Sequence, residues 1–394
     1  MRSTTRRSLS IAALLYSLLH FAITGVRQPL ANFYGDFLAS FPTWKMASLF
    51  HRMDLYECSL AEDWGWGPPP IWHYGPVLHL ITIPLLAFPT LRSAYVAWLF
   101  VNYIFVVVAA IVAVRILGVD RTSVLVVTLV FCNFNPLYEA LTQRTIEIFE
   151  LMLLFVAWSF YRRGRDAGCG VAIGIAAMTK FLPLIFLPWF ILRRRWRALA
   201  ASIAVIVPLA IAAQLVFGWQ HSGILIQLGG VTFLKSELDQ SLSGMVARLI
   251  EWTHCPLPAP VAGLVVVLIA LGVLMAFMLE ARRREGSEDI EFGLLAAAMV
   301  LLAPHNEQYY FIFLLLPYLL LYRRYRERWS IRAALLALSF FLVAMPVPLS
   351  IVQRFASFDV FSLYLRAGIP FVGAALLVAV LVRETARPVQ LDAP

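Results

Sequence analysis

Charge is scarce in this chain of 394 residues: Asp, Glu, Lys and Arg together make up 14%. Hydrophobic residues make up 61%, and the mean hydropathy is +0.79. A soluble domain sits far below that value and is excluded. The long apolar runs lack the polar/apolar alternation of barrel strands, so the expected fold is an all-α polytopic membrane bundle. Cysteine is also sparse: Cys58, Cys132, Cys169 and Cys255 show no metal-ligand spacing. Gly-rich phosphate loops, nucleotide motifs and His/Cys metal sets are missing, which argues against redox and nucleotide-dependent chemistry.

The charge that is present is patterned. The net charge is +9, but the basic residues come in short bursts at the ends of apolar stretches rather than on one domain face. That is how membrane topology is written, and it makes nucleic acid an improbable partner. The first run, Ser8 to Val26, follows Arg2, Arg6 and Arg7 and has no small-x-small cleavage site, so it reads as a retained signal anchor. About 12 spans are expected, short ones included. They lie near 8–26, 93–115, 122–138, 147–161, 167–180, 181–192, 198–217, 259–280, 291–303, 309–322, 329–349 and 366–382. This assignment puts 22 Lys and Arg on the N-terminal side and 10 on the other, so both termini are expected in the cytoplasm. The whole chain reads as one integral-membrane domain. Its parts are a first external loop at 27–92, further helices and loops at 93–325, and C-terminal helices at 326–394.

The first external loop has its own organisation. Met46, Leu49, Phe50, Met53 and Leu60 recur at helical spacing, which predicts an amphipathic helix along the bilayer surface. Pro76 to Phe88 is too short to span and too apolar to be solvated, so it too is expected in the interface. Between them, "EDWGWGPPPIWHYGP" carries Trp64, Trp66, Trp72 and Tyr74. These are either an aromatic belt at headgroup level or a platform for an acceptor sugar or lipid headgroup. Cys58 and Cys255 share this side, which leaves a pairing between them open.

Ionisable residues cluster on the same side. Asp36 follows the first helix in "NFYGDF"; Glu139, Arg144 and Glu147 lie in "NPLYEALTQRTIE". Lys180 sits at the turn of a short apolar hairpin in "AAMTKFLP", and His305 and Glu307 lie in "LAPHNEQYYF". Singly, each has a plain reading: Asp36 as a helix cap, Lys180 as a snorkelling side chain, Arg144 as a salt-bridge partner of a nearby Glu. Together, ionisable residues at membrane depth are costly and point to function. A carboxylate able to deprotonate a hydroxyl, beside cations able to hold a departing phosphate, suits sugar transfer from a lipid-phosphate donor. A transporter or lipid flippase is the main rival, because it also needs a polar cavity. It would show repeats and helix breaks at mid-depth, and neither is evident. A structural scaffold is a weaker third reading, since it gives the recessed acids no task.

The ordered motifs "GDF", "DLYE", "YGPVLHLITIPLLAFP", "GIAAMTKFLPLIFLPWFILRRRWR", "QSLSGMVARL" and "LLAPHNEQYYFIFLLLP" resemble those of GT-C glycosyltransferases of family 87. These are polyprenyl-phosphate-mannose-dependent mannosyltransferases, and the resemblance runs from about residue 8 to 325. It implies inverting transfer of mannose from a polyprenyl phosphate to a lipid or glycan hydroxyl, with no cofactor or metal. It also implies that Asp36 is the general base. The family's KxxP falls on Lys180 and Pro183, and its N/Q-S-x-x-G…R stretch on Gln240, Ser241, Gly244 and Arg248. Its SPH turn falls on Pro304 and His305, with Ala303 in place of serine. His305 is thereby implied to line the donor site, with Lys180, Arg144, Arg248 and Glu307 as companions around the donor phosphate and sugar. Two stretches depart from the family pattern: "EALTQRTIE" is more highly charged, and the Trp/Pro-rich 62–76 stretch is longer.

Overall fold

The computed structural model describes residues 2–31, 83–88, 91–217, 239–282, 287–303, 306–326, 330–344 and 359–385, with positions 77, 81 and 356. Among the described residues there are helices and turns and no strand. Helix α1 (Arg2–His20) runs on through a π-helical stretch, Phe21–Arg27, into Gln28–Ala31. Helix α2 (Leu91–Leu117) and, later, α10 (Ala259–Ala281) are long enough and apolar enough to cross a membrane, as is the Ser8–Ala31 part of α1. Their exposed Leu, Ile and Val side chains, such as Leu264, Leu268 and Val273 on α10, suit a lipid surround.

Helix α3 (Arg121–Cys132) starts at Asp120, whose carboxylate accepts from Ser123 N at 2.7 Å. That bond holds the Asp120 carboxyl below the usual range. The single span expected over 122–138 is two helices here, because α4 (Asn135–Gln143) turns away from α3 by 58°. Pro136, in the first turn of α4, has no N–H to continue the α3 ladder. Asn133 fixes the break by donating to the Leu129 carbonyl at 2.7 Å and to Ser17 Oγ at 2.8 Å.

Helices α5 (Glu147–Arg162) and α6 (Asp166–Thr179) form a hairpin. A 3-10 turn (Leu182–Ile185) and α7 (Phe186–Leu192) then run back to α8 (Trp196–Phe217). Next come α9 (Leu242–Trp252), which interrupts what reads as an uninterrupted loop before α10, and α11 (Glu288–Leu301). A 3-10 stretch (Gln308–Leu314) leads into α12 (Leu315–Tyr325), followed by α13 (Ile331–Ala344), α14 (Val360–Arg366) and α15 (Ile369–Thr385). The core between them is aromatic. Phe186 packs on Phe292 with ring centroids 4.6 Å apart, and Trp189 contacts both Tyr161 and Phe292.

Helix lengths give the bundle two unlike ends. At one end, Arg162 pairs with Asp289 at 3.0 Å and Arg195 with Glu288 at 3.1 Å. The Arg193 guanidinium pairs with Glu291 and donates to Ser287 and to the carbonyls of Ala281 and Arg282. From that level α5, α6 and α11 rise only about 21–24 Å, less than the ~30 Å of a hydrocarbon core. Helix α2 passes the far end of α5 where Trp98 Nε1 donates to the Arg144 carbonyl at 3.0 Å. It then continues to Leu91, about 10 Å further. Among the described residues, α2 thus extends beyond these short helices at the end opposite the arginines.

Helices α6 and α8 cross closely at Gly170 and Gly174, a small-xxx-small spacing. Ser202 Oγ donates to the Gly170 carbonyl at 2.9 Å across this crossing. A Cβ on Gly170 would meet the Ala198 carbonyl carbon at 2.8 Å, whereas one on Gly272 of α10 would meet nothing within 4 Å. Gly170→Ala is expected to cost about 1–3 kcal/mol. Gly272→Ala is expected to be neutral or stabilising by less than about 1 kcal/mol. Thermal unfolding of both variants in the same detergent checks the contrast.

Candidate active site

Lys180 sits where α6 stops and the chain turns extended before the Pro183-bearing 3-10 turn. Its ammonium is ion-paired to Glu147 at the start of α5 and donates to Tyr310 Oη at 2.6 Å. It also lies 4.1 Å from the centre of the Tyr310 ring. Glu150, one turn further along α5, is fully buried beside the Lys180 backbone. Three elements distant in sequence, at 147–150, 180 and 310, thus share one buried group of charges.

A second cluster is built on the turn before α9. Asp239 Oδ1 accepts from Ser241 N at 2.9 Å and from Asn306 N at 3.0 Å, and Gln240 N donates to the Asn306 carbonyl at 2.6 Å. Ser241 caps α9 by accepting from Gly244 N at 3.0 Å. Gly244 has no room for a side chain, since a Cβ would lie 2.6 Å from Asp239 Cγ. Arg248 donates to the Asp239 carbonyl at 2.6 Å, and the Gln240 amide donates to the Leu365 carbonyl at 2.8 Å. The stretch 239–248 is in this way fastened to residue 306, directly beside positions 304 and 305.

Of the residues expected at the site, Lys180, Arg248 and Glu307 are gathered at this end. Arg144 is at the same end, but the bundle itself takes up its guanidinium. It lies 3.4 Å over the Tyr95 ring and donates to the carbonyls of Pro29 and Thr142. It therefore pins the end of α1, seven residues before Asp36. Asp36, Trp64, Trp66, Trp72, Tyr74 and His305, together with the amphipathic segment around Met46–Leu60, lie outside the described residues. Cys255 is a free thiol, and Cys58, its open partner, lies outside the described residues.

Sequence reading alone passed over Glu150, Asn306, Gln308 and Tyr310. One of them, Glu150, carried a signal. Glu147 and Glu150 are acids one helical turn apart in the apolar "EIFELMLLF", a costly arrangement at membrane depth.

An apolar groove of about 460 Å³ runs away from this end between α7, α10 and α11. Phe181 borders it next to Lys180 and Leu302 at the end of α11, while Ile185, Trp189, Met278 and Met299 line its length.

A helical bundle with membrane-length apolar helices, a polar end and an adjoining apolar groove defines a class: integral membrane proteins. Within that class the chain belongs to glycosyltransferase family 87, whose family model matches residues 72–304. It is also similar to the alpha-(1->3)-arabinofuranosyltransferases of Mycobacterium tuberculosis strains CDC 1551 / Oshkosh and ATCC 25618 / H37Rv. Each is 30% identical over 221 residues, covering 54% of this chain and 48% of the relative. The chain thus spans about half the length of these curated relatives.

Proposed function

We propose that this protein is an inverting glycosyltransferase that moves a sugar from a polyprenyl phosphate to a hydroxyl of a lipid or glycan acceptor at the external face of the membrane. The groove beside Lys180 carries this reading, because it offers an apolar seat for a polyprenyl chain whose phosphate reaches the end that holds Lys180 and Arg248. The positive-inside rule supports the orientation. Arg162, Arg193 and Arg195 stand at the opposite end, which faces the cytoplasm together with both termini.

In this mechanism Asp36 takes the proton of the acceptor hydroxyl, and the oxygen attacks the anomeric carbon from the side opposite the phosphate. The bond between that carbon and the phosphate oxygen breaks, and polyprenyl phosphate leaves with the electron pair. Arg248 and His305 balance its charge, while Lys180 holds the turn that shapes the phosphate end. Trp64, Trp66, Trp72 and Tyr74 form the acceptor platform. The resemblance supports mannose as the donor sugar, and the name of the mycobacterial relatives supports arabinofuranose.

The test is transfer by purified protein from labelled mannosyl and arabinofuranosyl polyprenyl phosphates to a membrane-lipid extract. Product from one donor is the expected result, and product from neither overturns the reading. In the same assay Ile185→Trp, which fills the groove, is expected to raise the KM for long-chain donors about tenfold and for a short-chain donor much less. Equal KM values for both chain lengths would remove the groove from the donor site.

A further inference from the structure

Gln308 opens the 3-10 stretch that carries Tyr310, and it is 5% exposed with no partner among the described residues for either its amide oxygen or its amide nitrogen. Asn306, two residues earlier, is fully buried. Its amide nitrogen donates to the Val300 carbonyl at 2.8 Å, which leaves its oxygen bare. The second oxygen of Glu147 is bare as well among the described residues. Buried polar groups in folded proteins are nearly always paired, because an unmade hydrogen bond inside costs more than a made one returns. Here several bare atoms collect at one end of one bundle, beside Lys180 and Arg248.

The chemistry of the bare atoms selects what would satisfy them. Gln308 needs a partner that accepts from its N–H and donates to its carbonyl; the Asn306 oxygen and the Glu147 carboxylate need donors. An ionised phosphate only accepts, and a polyprenyl chain does neither. Sugar hydroxyls do both from neighbouring atoms. We infer that Gln308, with Asn306 beside it, reads the hydroxyls of the donor sugar and sets which sugar is transferred. The inference rests on the proposed glycosyl transfer and names the residues that make its selectivity.

Gln308→Leu separates a sugar-reading role from a structural one. In the sugar-free protein, replacing an unpaired buried amide by an apolar group of similar size should leave Tm unchanged or raise it. With donor, kcat/KM should fall about ten- to hundredfold, and by different factors for the mannosyl and arabinofuranosyl compounds. Inhibition by sugarless polyprenyl phosphate should not change. A Tm that falls together with activity, or an equal loss for both donors, overturns the inference. So does unchanged kcat/KM, which would mean that water alone satisfies the amide. If Gln308→Leu does not fold, Gln308→Met serves with the same criteria. If the native protein turns over neither donor, the transferase reading fails, and thermal protection then decides the inference. Each sugar-bearing donor should raise the native Tm more than polyprenyl phosphate does, and that difference should vanish in the variant; equal protection overturns it.

Discussion

Lys180→Met is expected to lower stability by about 3–5 kcal/mol, the usual result of leaving a buried charge without its partner. The ammonium is the counter-charge of Glu147, and Glu150 is the next acid along the same helix face. Removing it would strand two acids among Phe155, Phe311 and their neighbours in the core. The double variant Lys180→Met, Glu147→Gln removes both members of the ion pair and should recover more than half of the lost stability. It should not recover transfer, because the turn into Leu182–Ile185 would no longer be tied to α5 and Tyr310. Melting curves in detergent, with transfer measured in parallel, check this. A single variant that melts like the native protein while its donor KM rises would show that the ammonium is spent on phosphate instead.

The fold was legible where the sequence reports distance from lipid, and obscure where it depends on partners. The edges of α5 and α10 follow from the charges that flank "EIFELMLLF" and from Pro258 and Arg282 around the run 259–281. The break between α3 and α4 is hidden in an unbroken apolar run, although Pro136 marks it in hindsight. Helix α9 escaped because its capping pattern, Ser241 bonding back to Gly244, is local and weak amid loop residues. At the site, residue type singled out Lys180 and Glu307, and the family resemblance Arg248. The bridge from Asp239 and Gln240 to Asn306 spans more than sixty residues and runs mostly through backbone groups. Side-chain chemistry gives no sign of such a bridge.

The arginine-rich end bears on the transporter alternative. Glu291 accepts from Arg193 and from Trp189 Nε1 at 2.8 Å, and it is fully buried. Arg193 in turn closes the carbonyls at the end of α10. Alternating access would have to open this end and separate a buried ion pair. The proposed transferase, taking donor and acceptor from one face, needs no such opening.

Asp36→Asn is expected to reduce kcat by about 10²–10⁴, the range a positioned general base contributes. Asn keeps the shape and polarity of the carboxylate but cannot take the acceptor's proton, so protection by bound polyprenyl phosphate should be unchanged. The pH profile supplies an independent sign. A base works only when deprotonated, so native kcat should fall as pH drops through the carboxylate's titration, and that limb should be absent from the residual rate of the variant. The anchor seven residues upstream adds a graded companion. Arg144 holds the Pro29 carbonyl, and Arg144→Met should loosen the approach to Asp36, lowering kcat without moving the pH limb. If Asp36→Asn retains more than a tenth of the native rate with its pH limb intact, the proton goes elsewhere. Glu307, at the Lys180 end beside position 305, would then be the carboxylate to replace next.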